Sequence, residues 1–185
     1  MTQIFHGGGI DEAVLNYGGE RENWLDLSTG INPNAYPVPH FDDSIWQQLP
    51  DKEAEANLLN AARQYYGVLD INDITAGNGT QAIMEVLPWI IKPAHVAIIS
   101  PTYAEHANIW QKANVPIFNV EDLDMLPENL DTLVVVNPNN PDARIWSVEE
   151  LTSLAKKVKH LIVDEAFCDP YPESSLIPLM TNNVI

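Results

Sequence analysis

From residue 71 onward, short apolar runs alternate with stretches whose apolar positions recur at helical spacing. Residues 71–75, 95–100, 115–120, 132–137 and 161–163 read as strands, the last running straight into Asp164. Between them, residues 80–91, 103–113 and 148–158 read as helices. Runs such as Ala97-Ile98-Ile99 and Leu133-Val134-Val135-Val136 are apolar at successive rather than alternate positions. That pattern belongs to strands covered on both faces, as parallel sheets between helix layers require. The predicted fold class is α/β, a mostly parallel sheet with helices on both faces.

Upstream the pattern thins. Helical spacing shows at 43–49 and more strongly at 52–66, where Ala54, Leu58, Ala61, Ala62 and Tyr65 share a face and Gly67 stops the run. The first 40 residues hold most of the glycines together with Pro33, Pro37 and Pro39, and only Trp24-Leu25-Asp26-Leu27 reads as a short strand. The expected organisation is an N-terminal arm over residues 1–40 and an incomplete large domain over 41–185.

Composition narrows the class. An apolar share of 45% over 185 residues suffices for one buried core. The single cysteine, Cys168, excludes an internal disulfide framework and fits a reducing compartment. The N-terminal residues lack a basic start and a long apolar run, and the nearly uncharged stretch 82–91 carries Glu85 and Pro88 and is too short to span a bilayer. The expected location is the cytoplasm. A formal charge of −17 argues against unspecific binding to nucleic acid or anionic membrane, while leaving room for one small anion held by backbone N–H groups.

Loops that follow predicted strands carry the candidate chemistry, because ligands in doubly wound sheets bind where strand C-termini meet helix N-termini. In Ala76-Gly77-Asn78-Gly79-Thr80-Gln81, two glycines permit a tight turn whose free N–H groups can cradle a phosphate, with Thr80 adding a hydroxyl. The plainer reading is a turn capped by Asn78 or Thr80. Asn137-Pro138-Asn139-Asn140-Pro141 places two stiff Asn-Pro steps at a strand end, where an amide can donate to a ligand oxygen; an ordinary proline-rich turn is the alternative. Asp164, at the end of an apolar strand, needs a partner, which a protonated pyridine nitrogen, a helix start or a salt bridge would each supply. Tyr103 opens a helix after Pro101-Thr102 and could stack on a flat ring or simply pack.

In chain order, these four segments, the last being Val163-Asp164-Glu165-Ala166, resemble the class I/II aminotransferase family of fold-type-I enzymes that use pyridoxal 5′-phosphate. The resemblance implies that Gly79, Thr80 and Gln81 hold the cofactor phosphate and that Tyr103 stacks on its ring. It also implies that Asn140 donates to the ring's phenolic oxygen and that Asp164 pairs with the pyridine nitrogen. Within that family, His6-Gly7-Gly8, Leu25-Asp26-Leu27-Ser28, Ile31-Asn32-Pro33 and Phe167 resemble the threonine-phosphate decarboxylases of cobalamin synthesis. This likeness implies a carboxy-lyase acting on a small phosphorylated amino acid, with His6 and Asn32 as substrate contacts, and a homodimer in full-length members. Metal ligands are not implied.

Two departures from the family pattern stand out. The usual Pro-Thr-Gly is here Pro141-Asp142-Ala143, which removes an easy left-handed position. The Schiff-base lysine and the substrate-carboxylate arginine, which the family places after the aspartate, have no counterpart among the lysines up to Lys159 or in Arg21, Arg63 and Arg144. The expectation is therefore a truncated chain, inactive alone, with no catalytic residue of its own. A histidinol-phosphate-type aminotransferase fragment and a non-catalytic assembly fragment are the alternatives.

Overall fold

The computed structural model describes residues 7–185, so His6 lies outside the described residues. The chain separates into two compact units, 1–49 and 50–185. In the first, none of residues 7–49 is buried. It holds one α-helix, α1 (Ile10–Tyr17), which its Gly-rich flanks hid from the sequence reading. Trp24 to Leu27 forms no strand, since no neighbouring strand among the described residues pairs with it.

The second unit follows the predicted alternation closely. Helix α2 (Lys52–Tyr66) starts where Asp51 accepts from the Ala54 N–H and stops at Gly67, whose left-handed φ of 73° closes the last turn. Then come α3 (Thr80–Ile91), β1 (Val96–Ile99), α4 (Ala104–Lys112), β2 (Ile117–Val120), β3 (Thr132–Val136), α5 (Val148–Ala155) and β4 (His160–Asp164). Ser147 and Glu150 form a reciprocal capping box at the start of α5.

Two expectations fail for a local reason. Residues 71–75 are not a strand, and 43–49 are not an α-helix. In each, an aspartate (Asp70, Asp42) accepts from the N–H two residues on and winds a short 3₁₀ turn, at Ile71–Asp73 and Asp43–Trp46.

The four strands are all parallel, in the order β2-β1-β3-β4. Val96 to Ile99 and Thr132 to Val136 are buried at every position, as strands with both faces covered must be. One core lies around Leu133, Leu151, Leu161 and Leu176, and a second around Val96, Ile98, Trp110 and Val134. After β1 the chain moves outward to β2, then crosses back to β3 on the other side. The C-terminal ends of β1 and β3 therefore flank the switch point, where such sheets open a crevice.

The last described residues run along the otherwise open side of β4. The Leu161 N–H donates to Asn183 at 2.8 Å and the Val163 N–H to Ile185 at 2.9 Å. The Asn183 amide in turn donates to the carbonyls of Ala155 and Val158, at 2.7 and 3.1 Å, satisfying the end of α5.

Candidate functional site

The candidate site residues lie toward the sheet's C-terminal edge. Helix α3 begins at Gly79, whose φ of 83° and ψ of 161° are accessible essentially to glycine alone, and no side chain caps this end. Asn78 and Thr80 therefore leave the first N–H groups of α3 open for an anion, where the helix dipole favours negative charge. Gln81 points its amide elsewhere: Nε2 lies 3.4 Å from Glu85 Oε1 and 3.4 Å from Glu105 Oε2. The buried Glu105 also accepts from Asn108 at 2.8 Å, so it ties α3 to α4.

Asp164 ends β4 with its side chain 9% exposed. His106 Nε2 sits 3.0 Å from its Oδ2, and the Ala166 N–H donates to its Oδ1 at 3.0 Å. Burial pushes the Asp164 carboxyl up, but these two hydrogen bonds and the nearby imidazole outweigh it and hold the group below the usual aspartate value. With the carboxylate ionised, Nε2 must be the protonated ring nitrogen in that contact.

Tyr103, half-buried at the start of α4, meets the His106 ring edge-on with centroids 6.1 Å apart. Burial, then the charges of Glu105 and Asp164, push its phenol up, so it stays a neutral donor at ordinary pH. Thr80, His106 and Asp164 line one groove of about 690 Å³, together with Ile83 and Met84 of α3. Among the described residues no lysine or arginine lines it.

Of the residues singled out beforehand, Gly79, Thr80, Tyr103 and Asp164 thus gather around one edge of the sheet. Asn140 is exposed in the loop after β3, a loop held beside Asp164 by the Asn137 N–H donating to the Asp164 carbonyl at 2.8 Å. Asn32 belongs to the first unit, where its side chain accepts from the Asn34 N–H at 2.9 Å. The arginines are engaged elsewhere. Arg21 pairs with Asp11, Arg63 donates to the Leu69 carbonyl, and Arg144 lies over the Trp146 ring at 3.8 Å.

His106 went unnoticed in the sequence, although it lies three residues after Tyr103 and therefore on the same side of α4.

The match to known proteins is extensive. Residues 23–182 match the family model for aminotransferase class I and II. The chain belongs to this family. A threonine-phosphate decarboxylase from a Sinorhizobium species is 41% identical over 94% of the chain, and one from Pseudomonas aeruginosa is 38% identical over 92%. These matches cover 53% and 52% of the two relatives, so the aminotransferase-family chain spans about half the length of the curated relatives it matches. Among solved structures, histidinol-phosphate aminotransferase from Sinorhizobium meliloti in complex with pyridoxal-5′-phosphate superposes with a TM-score of 0.61 at 22% identity. That match covers 70% of this chain and 41% of the other. The fold is shared, down to the mostly parallel sheet between helices.

Proposed function

We propose that this chain forms the cofactor cradle of a pyridoxal-phosphate-dependent L-threonine O-3-phosphate decarboxylase acting in cobalamin synthesis. The observation that carries the reading is Asp164, largely shielded from solvent, held ionised and backed by His106, in the same groove as the uncapped start of α3. A largely shielded carboxylate kept charged favours a cationic partner, and an uncapped helix start favours an anion. Pyridoxal phosphate offers both, on one rigid molecule, and the donor set fits it.

When bound, the cofactor supplies an electron sink for the bond broken at the substrate's α-carbon. The chain's residues do the rest. Gly79 and Thr80, with the backbone N–H of Gln81, would hold the phosphate; Tyr103 would cover the ring; Asn140 would donate to its phenolic oxygen. Asp164 would hold a proton on the pyridine nitrogen, with His106 fixing the carboxylate's orientation. His6 and Asn32 would contact the phosphorylated substrate. Among the described residues no lysine lines the groove, so the chain by itself should bind without turning over.

A homodimer is the assembly we favour, supported by the exposed apolar stripe Ile83, Val86, Trp89 and Ile90 on α3. The charge of −17 speaks against nucleic acid and anionic membrane as partners. No described helix is long and apolar enough to cross a membrane. The buried, unpaired Cys168 supports a cytoplasmic setting.

Titration with pyridoxal phosphate, followed by quenching of tryptophan fluorescence, tests the cradle. Saturable binding that Asp164→Ala weakens at least tenfold supports it, and no binding by the wild-type chain sinks it. Joining the chain to the C-terminal half of the Sinorhizobium relative then tests the reaction. Release of CO₂ from threonine phosphate is expected; amino transfer to 2-oxoglutarate instead would make it an aminotransferase.

A further inference from the structure

The loop after β3 departs from its family at Asp142 and Ala143, yet it is densely bonded. Asp142 accepts from the Arg144 N–H at 3.0 Å and from Asn139 Nδ2 at 2.7 Å. Asn139 is nearly buried, and all its polar groups are engaged. Its N–H donates to the Arg144 carbonyl, and its carbonyl accepts from the Ala143 N–H. Its Nδ2 also donates to the Pro101 carbonyl at 2.9 Å, and its Oδ1 accepts from the Thr102 hydroxyl at 2.7 Å.

The chemistry of these partners admits one amide orientation. Pro101 O and the Asp142 carboxylate are both acceptors, so Nδ2 must face them and Oδ1 is left for the Thr102 hydroxyl. A loop that merely needed closing would be satisfied by the bonds among residues 139, 142, 143 and 144. The two bonds to Pro101 and Thr102 reach 38 and 37 positions away, across the switch point between β3 and β1. They grip the two residues immediately before Tyr103, which itself opens α4.

We propose that Asp142 is a positioning residue: by fixing the Asn139 amide, it clamps Pro101-Thr102 and sets the Tyr103 ring at the edge of the cofactor groove. The proposal rests on the cradle reading for the purpose of that ring, but the clamp itself can be tested without cofactor. A departure from the family's Pro-Thr-Gly then has a use. The carboxylate both holds the turn that glycine would otherwise ease and orients the amide behind the ring platform.

The test compares Asp142→Ala, Asp142→Asn and Thr102→Val in the full chain, each also combined with Tyr103→Ala. In NMR spectra, Asp142→Ala and Thr102→Val should both shift the Tyr103 ring and the 102–103 amides while leaving the Thr80 and Gln81 amides in place. Asp142→Asn keeps an acceptor oxygen and should restore the wild-type Tyr103 signals. Loss of a charge-assisted bond should weaken pyridoxal-phosphate binding about tenfold in Asp142→Ala, and by nothing further once Tyr103 is alanine. Unmoved Tyr103 signals, shifts spread evenly over Thr80, Tyr103 and Asp164, or an equal loss of affinity in the Tyr103→Ala background would each overturn the proposal. If the wild-type chain binds no pyridoxal phosphate, the cradle reading fails, and the NMR shifts alone still decide the clamp.

Discussion

His106 Nε2 and Asp164 Oδ2 are 3.0 Å apart, with side chains only 3% and 9% exposed, so each is the other's main polar partner in a nearly dry place. Burial alone would raise the aspartate, and His106 is the largest influence reversing it. Removing the imidazole should therefore let burial win. A group whose folded pKa is depressed contributes stability above its unfolded value, about 3.9, and loses that contribution as pH falls through the folded pKa. In wild type this loss should fall below about pH 3.9. In His106→Ala the Asp164 carboxyl should titrate above the wild-type position. The variant should lose about 1–3 kcal/mol at pH 7, the cost of an under-satisfied acceptor largely shielded from water, and less as Asp164 protonates. Carbon-detected NMR of the Asp164 carboxyl and urea unfolding at pH 3 to 7 provide the measurements. An unmoved carboxyl titration would mean that His106 serves packing only.

The start of α3 offers a second test, of backbone rather than charge. A Cβ on Gly79 would meet nothing within 4 Å, so space does not forbid a side chain there. Its φ of 83° with ψ of 161° does, because that region is open essentially to glycine alone. Gly79→Ala should cost about 1–3 kcal/mol in urea unfolding, or else twist the turn, and in either case weaken pyridoxal-phosphate binding. A variant of wild-type stability and affinity would show that the loop neither needs the conformation nor uses it for an anion.

What the chain's pattern disclosed was whatever rests on burial. β1 and β3 are buried at every position, and their unbroken apolar runs announced a sheet covered on both faces. Helix α2 was legible to the residue because its stop is a single glycine with φ of 73°. The 3₁₀ turns at 71–73 and 43–46 were not, since a strand-like run in one case and a helical spacing in the other lost to an aspartate side chain, Asp70 or Asp42, bonding the backbone N–H two residues on. For the site, Asp164 and Gly79 stood out because a charge after an apolar strand and a glycine before a helix are local signals. His106 did not, for its meaning depends on a partner 58 positions away. Ala143 stood out as the residue in place of the family's glycine, but only the backbone shows that it keeps the left-handed conformation, at φ of 57°.

Cys168 is 4% exposed, and its thiol is pushed up to about 11, first by burial and then by the charges of Glu165, Asp169 and Glu173. The reactive form is the thiolate, which is scarce so far below that value. At pH 8 the folded chain should react with iodoacetamide at least tenfold more slowly than a free thiol of pKa about 8.5. Unfolding in urea should restore the ordinary rate. Fast alkylation of the folded chain would place the thiol at the surface and contradict this packing.

The left-handed alanine yields the last prediction. Ala143 holds φ of 57°, a region that costs a residue with a Cβ roughly 1–2 kcal/mol relative to glycine. Its turn is kept by the Ala143 N–H donating to the Asn139 carbonyl at 2.9 Å and by Asp142 accepting from the Arg144 N–H. Replacing Ala143 by glycine relieves the folded state but gives the unfolded chain more freedom, worth roughly 0.4–1 kcal/mol in the opposite direction. The difference favours the variant: Ala143→Gly should stabilise the chain by about 0.5–1 kcal/mol, read as a higher urea midpoint at unchanged slope. Ala143→Val should destabilise, since a β-branched side chain tolerates that region worse than alanine. Should glycine lower the midpoint instead, the bonds of Asp142 and Asn139 would not be holding the turn against a conformational cost, and the alanine would belong to a different backbone.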